Sequence, residues 1–197
     1  MAPAAQTILW RRIDLPGHEA ARLLAHGSGW HLAGTAVFSH EADACRLEYV
    51  VGCNAAWHTI AATVSGWVGD RIIDLEVTVD SARRWWLNGN ECPNVAGCFD
   101  IDMAFSPSTN TLPIRRLNLQ PGEAAEVRAA WLRFPEFALE PLDQRYGRID
   151  LATYRYESGG GVFTRALRTN PAGFVVSYPD FWEAVHSGPV AHQRRSL

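Results

Sequence analysis

Apolar residues fall at every second position in segment after segment of this chain, and Gly, Asn, Asp and Pro separate the segments. In 73–80 (IDLEVTVD), Ile73, Leu75, Val77 and Val79 share one face and polar residues the other. That period of two is the mark of a half-buried strand. The segments 46–51 (RLEYVV) and 57–64 (WHTIAATV) flank a turn at 52–56. In 84–87, Trp85 and Trp86 point to opposite faces and lead into Asn88-Gly89, a strong two-residue hairpin signal. In 126–133, Val127, Ala129 and Trp131 oppose Arg128, Ala130 and Leu132. Further strands are predicted over 151–157, 162–168 and 173–177. Strands about every ten residues with turns between them predict an antiparallel sandwich or barrel. Helix is scarce. The segment 18–26 (HEAARLLAH) has helical propensity that a sheet could override, and 179–186 (PDFWEAVH) reads as helix, with Pro179 near its start and Gly188 past its end.

The 197 residues suit one domain with a sizeable core. Hydrophobic content of 47% and charged content of 20% mark a globular chain. A net charge of −3 argues against nonspecific nucleic-acid binding, so nucleic acid is not an expected partner. All 18 basic residues are arginine, whose planar fork suits carboxylates, phosphates and sugar hydroxyls. The N-terminus has no basic and apolar leader pattern, and no run approaches the ~20 apolar residues of a membrane span, so a cytoplasmic location is expected. The four cysteines form no CxxC pair and read as buried thiols. No HExxH, P-loop, GxGxxG or GxSxG is present, so no cofactor or metal is expected.

The chemistry concentrates in 98–119 (CFDIDMAFSPSTNTLPIRRLNL). It opens as an alternating strand, with Phe99, Ile101, Met103 and Phe105 on one side and Asp100 and Asp102 on the other. Their Cβ atoms would lie about 7 Å apart, a separation also found between the carboxyls of inverting glycosidases. A polar loop then carries Ser106, Ser108, Thr109, Asn110 and Thr111 and ends in Arg115 and Arg116. Three roles are open to these groups: an Asp–Arg clamp, the polar end of a ligand pocket, or acid–base catalysis. The hydroxyls and Asn110 either meet a ligand or satisfy their own backbone in turns. Trp86, Tyr154 and Tyr156 are the aromatic candidates for a cavity wall, although aromatics also fill ordinary cores.

Six blocks of the chain resemble a bacterial family of glycolipid-binding proteins, a group named from structure rather than from assays. They are LEYVVGCNAAWHT at 47–59, the Trp strand ending in NG at 85–89, GCFDIDMAFSPSTNTLPIRRLNL at 97–119, WLRFPEFALEPLDQRYGRI at 131–149, YRYES at 154–158 and GFVVSYPDFW at 173–182. The resemblance runs from about Trp10 to about Val185. It implies a mainly β, single-domain antiparallel sheet curled into an open or half barrel around an apolar cavity, with one or two short helices. The expected division is an extension over 1–9, the β domain over 10–186 and a flexible tail over 187–197. The family shape is similar to that of lipoprotein carriers. It implies a non-catalytic binding protein for an amphiphile, a glycolipid or other acyl-bearing molecule, with the tail in the cavity and the head at a polar rim. The candidate ligand-binding residues are Asp100, Asp102, Asn110, Arg115, Arg116, Trp86, Tyr154 and Tyr156. The alternatives are a structural β protein with a filled core, pairing through its edges as a possible homodimer, or a hydrolase or isomerase using Asp100 or Asp102.

Overall fold

The structure, a computed structural model, describes residues 5–189. Its fifteen strands form one curled sheet that is not closed into a barrel. The first strand, β1 (Gln6–Arg12), lies in the middle of the sheet. On one side of it β2 (Gly17–His26), β3 (Gly29–His40), β4 (Asp43–Cys53), β5 (Thr59–Val68), β6 (Arg71–Val79), β7 (Trp85–Leu87) and β8 (Asn90–Glu91) follow as a meander. On the other side lies the last strand, β15 (Trp182–Pro189). From there the order runs back through β14 (Val175–Tyr178), β13 (Phe163–Thr169), β12 (Thr153–Ser158), β11 (Leu139–Arg148) and β10 (Ala124–Leu132) to β9 (Ile101–Met103). All neighbours are antiparallel except β9 and β10.

The two edge strands are therefore consecutive in sequence, and both are very short, which limits the unpaired backbone each edge presents. The link between them ties the edges together. Asn94 Nδ2 donates to Leu139 O at the start of β11, and Thr59 N at the start of β5 donates to Phe99 O.

Alternation governs which side chains enter the core. On β4, Cys45, Leu47, Tyr49, Val51 and Cys53 are buried, while Arg46 and Glu48 between them are not. The 18–26 segment follows the same rule as β2, burying Glu19, Ala21 and Leu23. Helical propensity there yields to pairing with β1 and β3 on both sides. Trp85 is fully buried and Trp86 half-buried, as the opposite-face reading requires.

Three expectations are corrected. The segment 179–186 is not a helix: Asp180 has φ of +71°, which breaks any helix, and Trp182 onward pairs with β1. The segment 106–116 is not a loop at a rim. Pro107–Asn110 forms a 3-10 turn and Thr111–Leu117 the helix α1, and the residues from Ser106 to Ile114 are buried. Finally, residues 6–9 are part of the sheet, and β15 carries it to Pro189; the rest of the expected tail, 190–197, lies outside the described residues, as do 1–4.

The buried segment fills the trough of the sheet. Leu112 joins a large cluster built from β1 to β7 with Ile101, Met103, Ala130 and Leu132. Ile114 and Leu119 join a smaller one with Val127, Tyr146, Tyr154, Tyr156, Leu167 and Val175. Ser106 starts the turn by accepting a hydrogen bond from Ser108 N at 3.1 Å, and Pro107 fits the first position of a helical turn because it has no N–H to lose. The four cysteines carry free thiols.

Candidate functional site

Strand β9 serves two sides at once. Ile101 and Met103 enter the large cluster, while Asp102 between them pairs with Trp131 of β10 and lines a cleft of about 350 Å³. The same cleft is lined by a group of aromatic rings. Tyr178 and Phe181 have ring centroids 5.4 Å apart, Phe163 lies 5.7 Å from Phe181, and Tyr156 lies 6.0 Å from Phe163. Edge-on and tilted rings at these spacings form a stable apolar surface. Asn110 and Ser106 of the buried segment complete the polar floor, and Arg12 and Asp14 stand at the margin.

The Asp102 carboxylate accepts a hydrogen bond from Gln144 Nε2 at 2.6 Å, and the same nitrogen donates to Tyr156 Oη at 3.1 Å. Burial pushes its pKa up to about 6, against the pull of the Gln144 bond, and the nearby Asp100 charge adds to the rise. Asn110 is tied at both ends of its amide: Oδ1 accepts from Tyr146 Oη at 2.8 Å and Nδ2 donates to Pro107 O at 3.2 Å.

Beneath Ser106 lies a group that reading the sequence missed. Glu19 Oε1 accepts hydrogen bonds from Ser106 Oγ and Tyr49 Oη, both at 2.6 Å, and Tyr49 Oη lies 2.6 Å from Ser108 Oγ. Glu19 Oε2 is buried without a partner. Burial pushes the Glu19 pKa up to about 7, although both hydroxyls and the Arg12 charge oppose it. The same burial, with the Glu19 charge, holds the Tyr49 hydroxyl well above its ordinary value. The available signal was parity: once 18–26 is a strand, Glu19 shares a face with Ala21 and Leu23. Gly34 makes room for this network, because a Cβ there would lie 2.3 Å from Tyr49 Oη and 2.9 Å from Ala20 O. Gly34→Ala is expected to cost about 1–3 kcal/mol, read as a lower midpoint in urea unfolding.

The other candidates are placed elsewhere. Asp100 does not face the cleft as an open acid. Arg116 Nη2 donates to its Oδ2 at 2.5 Å and Arg116 Nε to its Oδ1 at 3.0 Å, with the Arg116 guanidinium 5.3 Å over the Phe99 ring. Burial raises the Asp100 pKa, and Arg116 pulls against it. Arg115 and Tyr154 line a second cleft. Trp86 lies near the β8 edge with Arg84 5.2 Å over its ring, and it lines neither cleft. The eight candidates thus separate: Asp102, Asn110 and Tyr156 come together, Asp100 and Arg116 form a clamp, Arg115 and Tyr154 share another site, and Trp86 stands alone. Among the described residues no group of three or more His, Cys, Asp or Glu is placed to hold a metal.

An open curled antiparallel sheet, with its trough filled by its own chain and one mixed aromatic and polar cleft, defines the class of fold. A family model described as "Putative glycolipid-binding" matches residues 7–184, and the chain belongs to that family. It is also similar to a DUF1089 family protein from Pseudomonas aeruginosa, known from a crystal structure. The two share 30% identity over 84% of this chain and 90% of that one, with a TM-score of 0.75. No curated protein matches. No helix among the described residues is long and apolar enough to cross a membrane.

Proposed function

We propose that the chain binds an amphiphilic small molecule, a glycolipid or other acyl-bearing molecule, in the cleft lined by Asp102 and the aromatic rings. One observation carries this reading: a single cleft joins an apolar wall of Phe163, Tyr178 and Phe181 to the polar groups Asp102, Asn110 and Ser106. Small-molecule sites have this composition, with a mostly apolar lining and few polar groups that orient the ligand. A volume of about 350 Å³ suits a sugar head group or a short acyl segment, with the rest of a longer tail outside. Sugar hydroxyls would donate to Asp102, and sugar C–H faces would stack on the aromatic rings. The family description and the open sheet agree with this reading.

The test is native mass spectrometry of the purified chain, followed by thermal shift with an alkyl glycoside, a fatty acid and a glycolipid extract. A ligand present at 100 times its Kd should add about 2.7 kcal/mol of stability. Phe181→Ala should weaken binding by about tenfold or more, since burying one large apolar side chain is worth about 1.5–3 kcal/mol. An empty protein that gains no stability from any member of the panel would overturn the proposal.

A second reading rests on Asp102. A carboxyl with a pKa of about 6 in an open cleft can deliver or accept a proton near neutral pH. If the cleft hydrolyses or isomerises its ligand, Asp102→Asn abolishes turnover while the melting temperature holds or rises.

A further inference from the structure

The second cleft lies at the other end of the trough. The ladders fix this: Arg12 and Tyr178, at the first cleft, both pair with Trp182, whereas Thr169, at the second, pairs with Val175 at the far end of β14. It has a volume of about 350 Å³, and its lining includes Arg115 and Arg148 but no carboxylate.

Arg115 is the informative residue. It sits in the last turn of α1, with its side chain held over the Trp57 ring at 5.0 Å and against Gly173, where an added Cβ would lie 2.9 Å from Arg115 Cδ. Among the described residues its guanidinium has no hydrogen-bond or ion-pair partner, and its Nε is buried without an acceptor. A buried donor with no acceptor is costly, and most are satisfied. Arg148 also lines the cleft, fixed by backbone carbonyls instead of a carboxylate: Nη1 donates to Leu119 O at 2.5 Å, Nη2 to Leu151 O at 2.8 Å and Nε to Asp150 O at 3.1 Å. Its positive charge is therefore not neutralised by an ion pair. The nearest carboxylate in sequence, Asp150, accepts the amides of Ala152 and Thr153 at its Oδ1, both at 2.8 Å, and makes no ion pair with Arg148. Tyr154 and Asn170 add donors. The Tyr154 hydroxyl is held above its ordinary pKa by burial, while Arg148 and Arg115 pull it down. Asn170 turns its Oδ1 to the amides of Ala172 and Phe174, which leaves its Nδ2 free for the cleft.

We infer that this cleft binds a phosphate-type oxyanion, with Arg115 and Arg148 supplying the charge and Tyr154 and Asn170 supplying neutral donors. Planar arginine forks match the oxygens of such a group, and each charge-assisted bond is about twice as strong as a neutral one. The site is separate from the amphiphile cleft and stands or falls independently of it.

The experiment is thermal shift and calorimetric titration with inorganic phosphate at constant ionic strength, on the full chain and on Arg115→Gln, Tyr154→Phe and Phe181→Ala. A saturable rise in Tm is expected, together with a loss of affinity of tenfold or more in Arg115→Gln and a smaller loss in Tyr154→Phe. Without phosphate, Arg115→Gln should melt within a few degrees of the parent, because no internal hydrogen bond or ion pair is lost and only the contact over Trp57 is weakened. Phe181→Ala should bind phosphate like the parent, which separates this site from the first. Glycerol 3-phosphate and vesicles of phosphatidylcholine containing phosphatidate then distinguish the source. Binding of the soluble ester alone assigns a free phosphate ligand, and binding of the vesicles assigns a lipid head group. A shift that sodium chloride reproduces, or that Arg115→Gln retains in full, overturns the inference.

Discussion

Arg116→Ala lowers the free energy of unfolding by about 3–5 kcal/mol, the range for removing one partner of a buried ion pair. The Asp100 side chain is 1% exposed and that of Arg116 16% exposed, so solvent screens the pair little. Without the guanidinium, Asp100 retains only the weaker influence of His58 and Arg83. The lost stacking over Phe99 adds a smaller amount. Asp100→Asn acts in the same direction, since it leaves a buried cation short of its acceptor. Asp102→Asn provides the contrast. The Asp102 carboxylate meets one neutral amide donor and no cation, so removing its charge costs little and raises stability above pH 6. Urea unfolding of the three variants at pH 7.5 checks this order; an Arg116→Ala loss under 1 kcal/mol would show that the clamp is not structural.

Stability is expected to fall as pH rises from about 4.5 to 7, and Glu19 is the main cause. Its folded pKa of about 7 lies above the ordinary 4.5. Within that window the folded chain holds a proton that the unfolded chain has released. Glu19's contribution is therefore complete below pH 4.5 and is lost as pH rises through about 7, a change of about 3 kcal/mol. Asp102 contributes with the same sign between its ordinary 3.8 and about 6. His31 and His58 act in the opposite direction, because burial lowers their pKa values and protonation of the unfolded chain below about 6.5 costs stability. The decisive quantity is thus the difference between the parent and Glu19→Gln. Urea midpoints measured at half-unit steps from pH 4.5 to 8 should decline less steeply in the variant. Equal slopes would mean that Glu19 titrates near its ordinary value.

Both predictions concern polar groups under a sheet of which the strands from β4 to β7 and several later ones were legible, while β1, β2, β3, β11 and β15 were not. The period-two pattern of 73–80 gave β6 to within two residues at one end and one at the other, and Asn88-Gly89 gave the hairpin between β7 and β8. The same local signals put Trp85 and Trp86 on opposite faces, and the structure shows that Trp85 is the buried one. At the candidate site, the run 98–119 was legible as the place where chemistry collects, and the Asp–Arg clamp was among the roles it left open. The distribution of roles within that run was not legible. Arg115 and Arg116 are neighbours, yet one meets a buried carboxylate and the other an open cleft, because successive residues of α1 point in different directions.

A local pattern carries a period, and a period is enough to say which side chains share a face. It does not say what covers that face. The 179–186 segment reads as helix on its own; β1 makes it a strand by offering an unpaired backbone edge. The 106–116 run reads as a solvated loop because its residues are polar. It is buried because partners far along the chain satisfy those groups: Glu19 bonds Ser106 across 87 positions, and Tyr146 bonds Asn110 across 36. Alternation along the chain was therefore sufficient for many of the strands and for a mainly β chain, but not for β1, β2, β3, β11 and β15, nor for one open sheet in place of a sandwich or closed barrel. Which polar groups are buried, and which cleft each faces, depended on contacts between distant segments, since the cost of burying a polar side chain is set by the partner it finds.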